Sequence, residues 1–148
     1  MRVMIAVIFV LILALSADAS DHVDVEFVQT LDSLNVELSS TVERLFRASQ
    51  GEWDEWVAVL GSFCIGLVNT LDVLSAMLLL PPECQTFRTI KAQGLAVSYI
   101  KSASEGWDTM VAGIRNRHAM NLAGEIGRIL FQVRNLCKKN LPDLYPEG

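Results

Sequence analysis

The sequence predicts an all-α protein, a four-helix antiparallel bundle in one domain. After residue 20, apolar residues recur every three or four positions along almost the whole chain, which is the spacing of amphipathic helices. No segment alternates apolar and polar residues with a period of two, and no Asn-Gly or Asp-Gly pair marks a hairpin. Short connections between long helices favour antiparallel neighbours around a single core.

The first 19 residues have the layout of a secretory signal peptide. Arg2 precedes an unbroken apolar run, which ends in small residues with Ala17-Asp18-Ala19 as the cleavage site. An uncleaved anchor is the alternative, but the run is short for a membrane span. We therefore expect a secreted, extracellular chain in which residues 20–140 form the bundle and residues 141–148 form an irregular C-terminal tail.

The first two helices are predicted over about 22–48 and 52–80. In the first, apolar residues from Phe27 to Leu45 follow one helical face. The second opens with a capping-box pattern at Ser49-Gln50-Gly51-Glu52 and ends at Pro81-Pro82, because proline cannot continue a helix.

The second helix raises the question of a membrane span. Its segment from Val57 to Leu80 is long enough to cross a bilayer. However, its small and polar residues form one narrow stripe, and an ionised Asp72 inside a bilayer costs about 2.5 to 3.5 kcal/mol. The flanking charges are acidic, without a cation cluster to fix an orientation. These observations favour a helix of a soluble core, with no stable membrane anchor; a helix that exposes its apolar surface in a second state is the alternative.

The third helix is predicted to begin near Glu83, and its end is left open. A second Ser-x-x-Glu pattern favours an end near Ser102, whereas the apolar register continues plausibly to Ile114. The fourth helix carries apolar residues from Leu122 to Leu136. The apolar face of the third helix is read from Phe87, Ile90, Gly94, Val97 and Ile100.

Three cysteines, an odd number, predict one disulfide and one remaining thiol in an extracellular protein. In an up-down-up-down bundle, Cys84 and Cys137 lie at the same end. Cys64 lies about 24 Å from that end at 1.5 Å per residue, which is too far for a disulfide. We therefore predict a Cys84–Cys137 bond with Cys64 as a buried thiol. A different topology would change the pairing, and an exposed Cys64 could then link two chains.

Charge is unevenly distributed along the chain. Residues 20–83 carry eleven Asp and Glu against two Arg, whereas residues 84–148 carry nine Lys and Arg against five Asp and Glu. Such an asymmetry predicts that the two halves neutralise each other in the fold. The net charge of −5 and the spread of the cations along helices argue against nucleic acid as a partner.

The sequence offers no catalytic or metal-binding motif. His22 and His118 are the only histidines, without a Cys-x-x-Cys or His-Glu-x-x-His pattern, and no Gly-x-Ser-x-Gly or phosphate-binding glycine loop is present. Paired carboxylates such as Asp54 and Glu55 are expected in the first turn of a helix without any catalytic role. We therefore predict a non-enzymatic protein without a cofactor.

Binding is the favoured class of function, in two forms. In the first, a helical face recognises another protein, through the edges of Trp53, Trp56 and Trp107 and through cations of the last helix. In the second, the helical core carries a small hydrophobic ligand or lipid. Ordinary core packing and a solvated charged face explain the same residues without any binding. The candidate cations are Arg115, Arg117, Arg128, Arg134, Lys138 and Lys139, and the candidate cavity residues are Phe63, Leu67, Leu71 and Met77.

This layout resembles the anophensin-like small all-helical salivary proteins of blood-feeding mosquitoes. The likeness lies in the signal peptide, the Asp21-His22 pair soon after it, the four predicted helices and the few cysteines. It rests on organisation rather than on a specific motif, so no functional residue is carried over. The resemblance implies a secreted inhibitor of a host defence or plasma cascade, either complement or contact activation.

Overall fold

A computed structural model describes residues 24–48 and 55–145, with only the backbone of Trp56. The described chain is all-helical and contains no strand. Two short 3₁₀ turns, Pro82–Cys84 and Pro142–Leu144, follow the second and fourth helices. The four helices are α1 (Val25–Ala48), α2 (Glu55–Leu78), α3 (Phe87–Val111) and α4 (Arg117–Asn140).

The helices form an antiparallel bundle in which each packs against two neighbours. α1 packs on α2 and α4, and α3 packs on α2 and α4. Gln93 near the start of α3 donates to the carbonyl oxygen of Met77 near the end of α2, at 3.5 Å. Trp107 near the end of α3 contacts Ala123 near the start of α4. Consecutive helices therefore run in opposite directions, and α3 begins at the end of the bundle where α4 finishes.

Local hydrogen bonds define where the helices begin and end. α2 ends ahead of Pro81-Pro82, and Gln85 Nε2 donates to Met77 O at 3.0 Å, which satisfies a carbonyl in the last turn. Thr86 caps α3 with its side-chain oxygen. Asn116 Oδ1 accepts from two backbone N–H groups in the first turn of α4. Short polar side chains thus set the starts of α3 and α4.

α3 continues past Ser102 and ends at Val111. Of the two ends that the sequence left open, the one near Ile114 is therefore closer to the observed end than the one near Ser102. Trp107 explains this continuation, because its indole is buried and its Nε1 donates to Ala123 O at 3.0 Å. The indole lies over Gly127, where a Cβ would come within 2.6 Å of the ring. Burying this large ring between α3 and α4 favours helix over a cap at Ser102.

One continuous core runs the length of the bundle. Each helix contributes large side chains with almost no solvent exposure, and burying each of them stabilises the fold by about 1.5 to 3 kcal/mol. The largest fully buried residues are Leu31, Leu38, Leu45, Val57, Leu67, Leu71, Leu74, Ile100, Leu122, Ile126, Ile129 and Leu130.

α2 is part of this core, although its composition is that of a membrane span. Among the described residues, Val57–Leu78 is one segment long and apolar enough to cross a membrane, with a mean hydropathy of 1.9. Its inner face packs against α1 and α3 through residues such as Leu67 and Leu71. Val59 and Val73 are exposed on its outer face. Packing in the bundle thus explains the apolar residues on the inner face of α2, but not those on its outer face.

Candidate protein-binding surface

Charge is segregated between the two helical hairpins. α1 and α2, with Asp24, carry seven Asp and Glu against two Arg, whereas residues 87–140 carry nine Lys and Arg against three Asp and Glu. Two ion pairs between described residues cross from one hairpin to the other: Arg44–Glu125 at 3.2 Å and Arg128–Glu37 at 4.0 Å. Of these, Arg128–Glu37 joins a cation of the basic hairpin to a carboxylate of the acidic one, whereas Arg44–Glu125 joins the opposite kinds, so these two pairs neutralise only a small part of the asymmetry.

The six cations predicted as a partner-binding set do not form one patch. Arg115 and Arg117 lie where α4 begins, and Lys138 and Lys139 lie where it ends. At 1.5 Å per residue these two pairs are about 35 Å apart along the helix. Arg128, midway along the helix, faces Glu37 of α1.

Arg134, the sixth predicted cation, is engaged by the C-terminal tail. Its Nε donates to the hydroxyl oxygen of Tyr145 at 3.0 Å. Tyr145 is only 4% exposed, and the Lys101 ammonium lies 5.5 Å from the centre of its ring. The tail was predicted to be irregular; it contains a 3₁₀ turn and packs against α3 and α4 as far as Tyr145.

The start of α3 provides a surface that the sequence interpretation missed. Phe87 is 81% exposed, and the exposed cations Arg88 and Lys91 follow it in the first turns of α3. Because α3 begins where α4 ends, these residues share one end of the bundle with Lys138 and Lys139. None of Arg88, Lys91 and Lys139 forms an ion pair with another described residue. We call Phe87, Arg88, Lys91, Lys138 and Lys139 the basic end surface.

Helix geometry explains why Phe87 was assigned to the apolar face. The path from Phe87 to Ile100 takes three steps of three residues and one of four. At 100° per residue, those steps rotate Phe87 about 140° away from Ile100. Gln93, a polar residue, takes the buried place and donates to Gln85 Oε1 at 2.9 Å. The rotation of each residue around the helix axis is the one signal in the sequence that could have placed Phe87 on the exposed face.

The three cysteines are unpaired in the structure. Cys64 is fully buried, as predicted, and burial raises the pKa of the Cys64 and Cys137 thiols to about 12. Cys84 lies on the exposed 3₁₀ turn, whereas Cys137 faces the core. The two ends meet as the topology required, but the predicted Cys84–Cys137 bond is not present in the structure.

Of the three tryptophan candidates, the one whose side chain is described, Trp107, lies inside the bundle. Trp107, predicted as a possible contact for a partner, is buried against α4. Phe63 packs with Tyr99 and Trp107, at ring-centre distances of 5.6 and 6.5 Å. Trp53 and the side chain of Trp56 lie outside the described residues, as does the signal peptide.

Of the four predicted cavity residues, Met77 lines the groove described between α2 and α3. Leu67 and Leu71 are fully buried in the core, and Phe63 belongs to the aromatic cluster. Met77 lines an open apolar groove of about 260 Å³ between α2 and α3. The other residues of this groove are Asn69, Thr70, Val73, Ala92 and Ala96.

Neither a metal cluster nor a known relative identifies a function. Over residues 24–48 and 55–145, no group of three or more His, Cys, Asp or Glu side chains could hold a metal ion. No protein-family model, no curated protein and no solved structure matches the chain.

Proposed function

We propose that this chain is a secreted, non-enzymatic binding protein that engages an acidic surface of another protein through its basic end surface. The observation that carries the proposal is Phe87, an aromatic side chain 81% exposed, with Arg88 and Lys91 in the same first turns of α3. Burying Phe87 in the core would stabilise the fold, so its exposure leaves it available to a partner. An aromatic anchor beside cations is the composition of interface hot spots, and the cations favour an acidic partner.

The test compares two exposed phenylalanines. Phe87→Ser removes the anchor, and Phe131→Ser is the matched control, since Phe131 is 55% exposed on α4 outside the basic end surface. Immobilised wild-type protein is expected to retain an acidic protein from vertebrate plasma. Phe87→Ser should reduce retention at least about tenfold with an unchanged melting temperature, and Phe131→Ser should retain it. Equal losses in both variants would contradict the proposal.

The narrower role, inhibition of complement or contact activation, follows from the resemblance to anophensin-like proteins. Contact-activated clotting time and complement haemolysis measure it directly. The wild-type protein should delay one of them, and Phe87→Ser should not. No effect of the wild-type protein on either assay would remove the narrower role.

A secreted chain meets an oxidising environment, so the proposal also includes a Cys84–Cys137 disulfide in the oxidised form of the chain. Both thiols lose a proton, a sulfur–sulfur bond forms, and two electrons reduce a small disulfide such as oxidised glutathione to two thiols. Thiol titration checks this. The reduced chain should show one fast thiol, Cys84, and two that react only on unfolding. After oxidation, only Cys64 should remain; three remaining thiols would contradict the staple.

A carrier of a small hydrophobic ligand is the second candidate, favoured by the open apolar groove beside Met77. Native mass spectrometry of the protein from a secretion host distinguishes it from the first. Mass that is lost on denaturation would support a carrier, and a bare chain would exclude a retained ligand.

A further inference from the structure

The C-terminal tail folds back into a groove between α3 and α4. After α4 ends, the turn at Pro142–Leu144 reverses the chain, and the Tyr145 N–H donates to Pro142 O at 3.2 Å. This turn brings Tyr145 beside Arg134, which lies more than one turn before the end of α4. A segment of this chain is therefore already seated on the groove and shows what the groove accepts.

Two side chains of the tail make the contacts. Leu144 lies over Gly94 of α3, and a Cβ at Gly94 would lie 4.0 Å from Leu144 Cδ2. Tyr145 is buried, accepts the Arg134 hydrogen bond on its hydroxyl oxygen and places its ring under the Lys101 ammonium. The leucine of the tail thus lies at a glycine of α3, and the phenol ring of the tail lies beside the cations Arg134 and Lys101.

We propose that this groove recognises a short segment of a partner protein that presents leucine followed by tyrosine, and that the tail, residues 141–145, occupies it in cis. A partner segment of this chemistry would meet the same glycine, Gly94, and the same donor at Arg134. The inference rests on the proposed function, because the groove lies on the same basic hairpin as the basic end surface. Displacing the tail would add the Arg134 guanidinium to that hairpin's binding groups.

The tail competes with such a segment by mass action. A tethered segment has an effective concentration of about 1 mM. For a partner segment that binds the empty groove with a Kd of about 100 µM, the tail lowers the apparent affinity about tenfold. The native chain is therefore expected to bind weakly, and a chain with a disabled tail tightly.

The experiment uses the full chain and a fluorescent peptide with the sequence of residues 139–148. The double variant Leu144→Ala/Tyr145→Ala disables the tail and leaves the groove intact. Fluorescence anisotropy should show the peptide binding this variant about tenfold more tightly than the native chain. A peptide with alanine in place of its tyrosine should bind at least about tenfold more weakly. Equal affinity for both chains, or for both peptides, would overturn the proposal.

A second measurement needs no variant, in case the double variant does not fold. Hydrogen exchange on the native chain with the peptide in excess should show loss of protection at the Leu144 and Tyr145 amides, whose N–H groups bond within the tail. Unchanged protection would overturn the proposal. Neither assay uses the natural partner, so their failure leaves the basic end surface untouched. Conversely, if the Phe87→Ser variant still retains the plasma partner, that result contradicts the role of the basic end surface and is no evidence against the groove between α3 and α4.

Discussion

The two hairpins of the bundle, α1–α2 and α3–α4, have similar cores and opposite surfaces. Leu71 of α2 and Leu130 of α4 are equally buried, and both hairpins contribute to the same continuous core. Their surfaces differ in sign, acidic on the first hairpin and basic on the second. Since packing does not require this segregation of charge, the comparison directs the search for function to the surface of α3–α4.

The two hairpins share one kind of internal contact, an aromatic ring packed on a glycine, and differ in their polar contacts. In α1–α2, Asn35 Nδ2 donates to Asp72 Oδ1 at 2.7 Å, while Asn35 Oδ1 and Ser75 Oγ are buried without a hydrogen-bond partner. In α3–α4 the Trp107 ring lies over Gly127, and in α1–α2 the Phe46 ring likewise lies over Gly61. Both hairpins thus contain a shape-dependent contact, and α1–α2 adds a hydrogen bond between two polar side chains.

The largest expected effect tests whether the two cores are equivalent. Leu71→Ala and Leu130→Ala each remove a fully buried side chain and leave a cavity, so each should lower the free energy of unfolding by about 2 to 5 kcal/mol. Urea unfolding followed by circular dichroism measures both. A loss below about 1 kcal/mol in one variant would mean that its hairpin does not share the core.

The next effect tests the shape-dependent contact. Gly127→Ala places a Cβ within 2.6 Å of the Trp107 ring, so the indole must shift and its hydrogen bond to Ala123 is strained. We expect a loss of about 1 to 3 kcal/mol, as for other overpacked sites. Gly124→Ala is the matched control on the same helix, because nothing lies within 4 Å of its Cβ.

The control should stabilise the protein by up to about 1 kcal/mol through helix propensity. Thermal unfolding of the two variants measures both changes. Equal behaviour of the two variants would show that the indole does not occupy the space above Gly127.

The fold was largely predictable because its determinants are local. Pro81-Pro82 ends the second predicted helix, and the spacing of apolar residues gives four helices, all confirmed as α1 to α4. The end of α3 was not predictable, since the burial of Trp107 against Ala123 decides it and that contact joins two helices. The Ser-x-x-Glu pattern at Ser102 looks the same in the sequence whether it caps a new helix or lies inside a continuous one.

The binding surface was less predictable for the same reason. Lys138 and Lys139 were identified from α4 alone, but Phe87 and Arg88, which lie at the same end of the bundle, come from the start of the preceding helix. Arg134 was counted as available to a partner, whereas the tail engages it through Tyr145. Contacts made by a segment without helical period leave no pattern in the sequence.

The smallest expected effect concerns the ion pair Arg44–Glu125, which joins the acidic and basic hairpins. Both side chains are partly exposed, so a double-mutant cycle with Arg44→Ala and Glu125→Ala should give a coupling of about 0.2 to 1 kcal/mol. Arg47–Glu43, within α1, is the control pair. Added salt should weaken the Arg44–Glu125 coupling. A coupling well above 1 kcal/mol, or one insensitive to salt, would mean that this pair is shielded from solvent and helps to hold the two hairpins together, although it joins an Arg of the acidic hairpin to a Glu of the basic one and involves no cation of α3–α4.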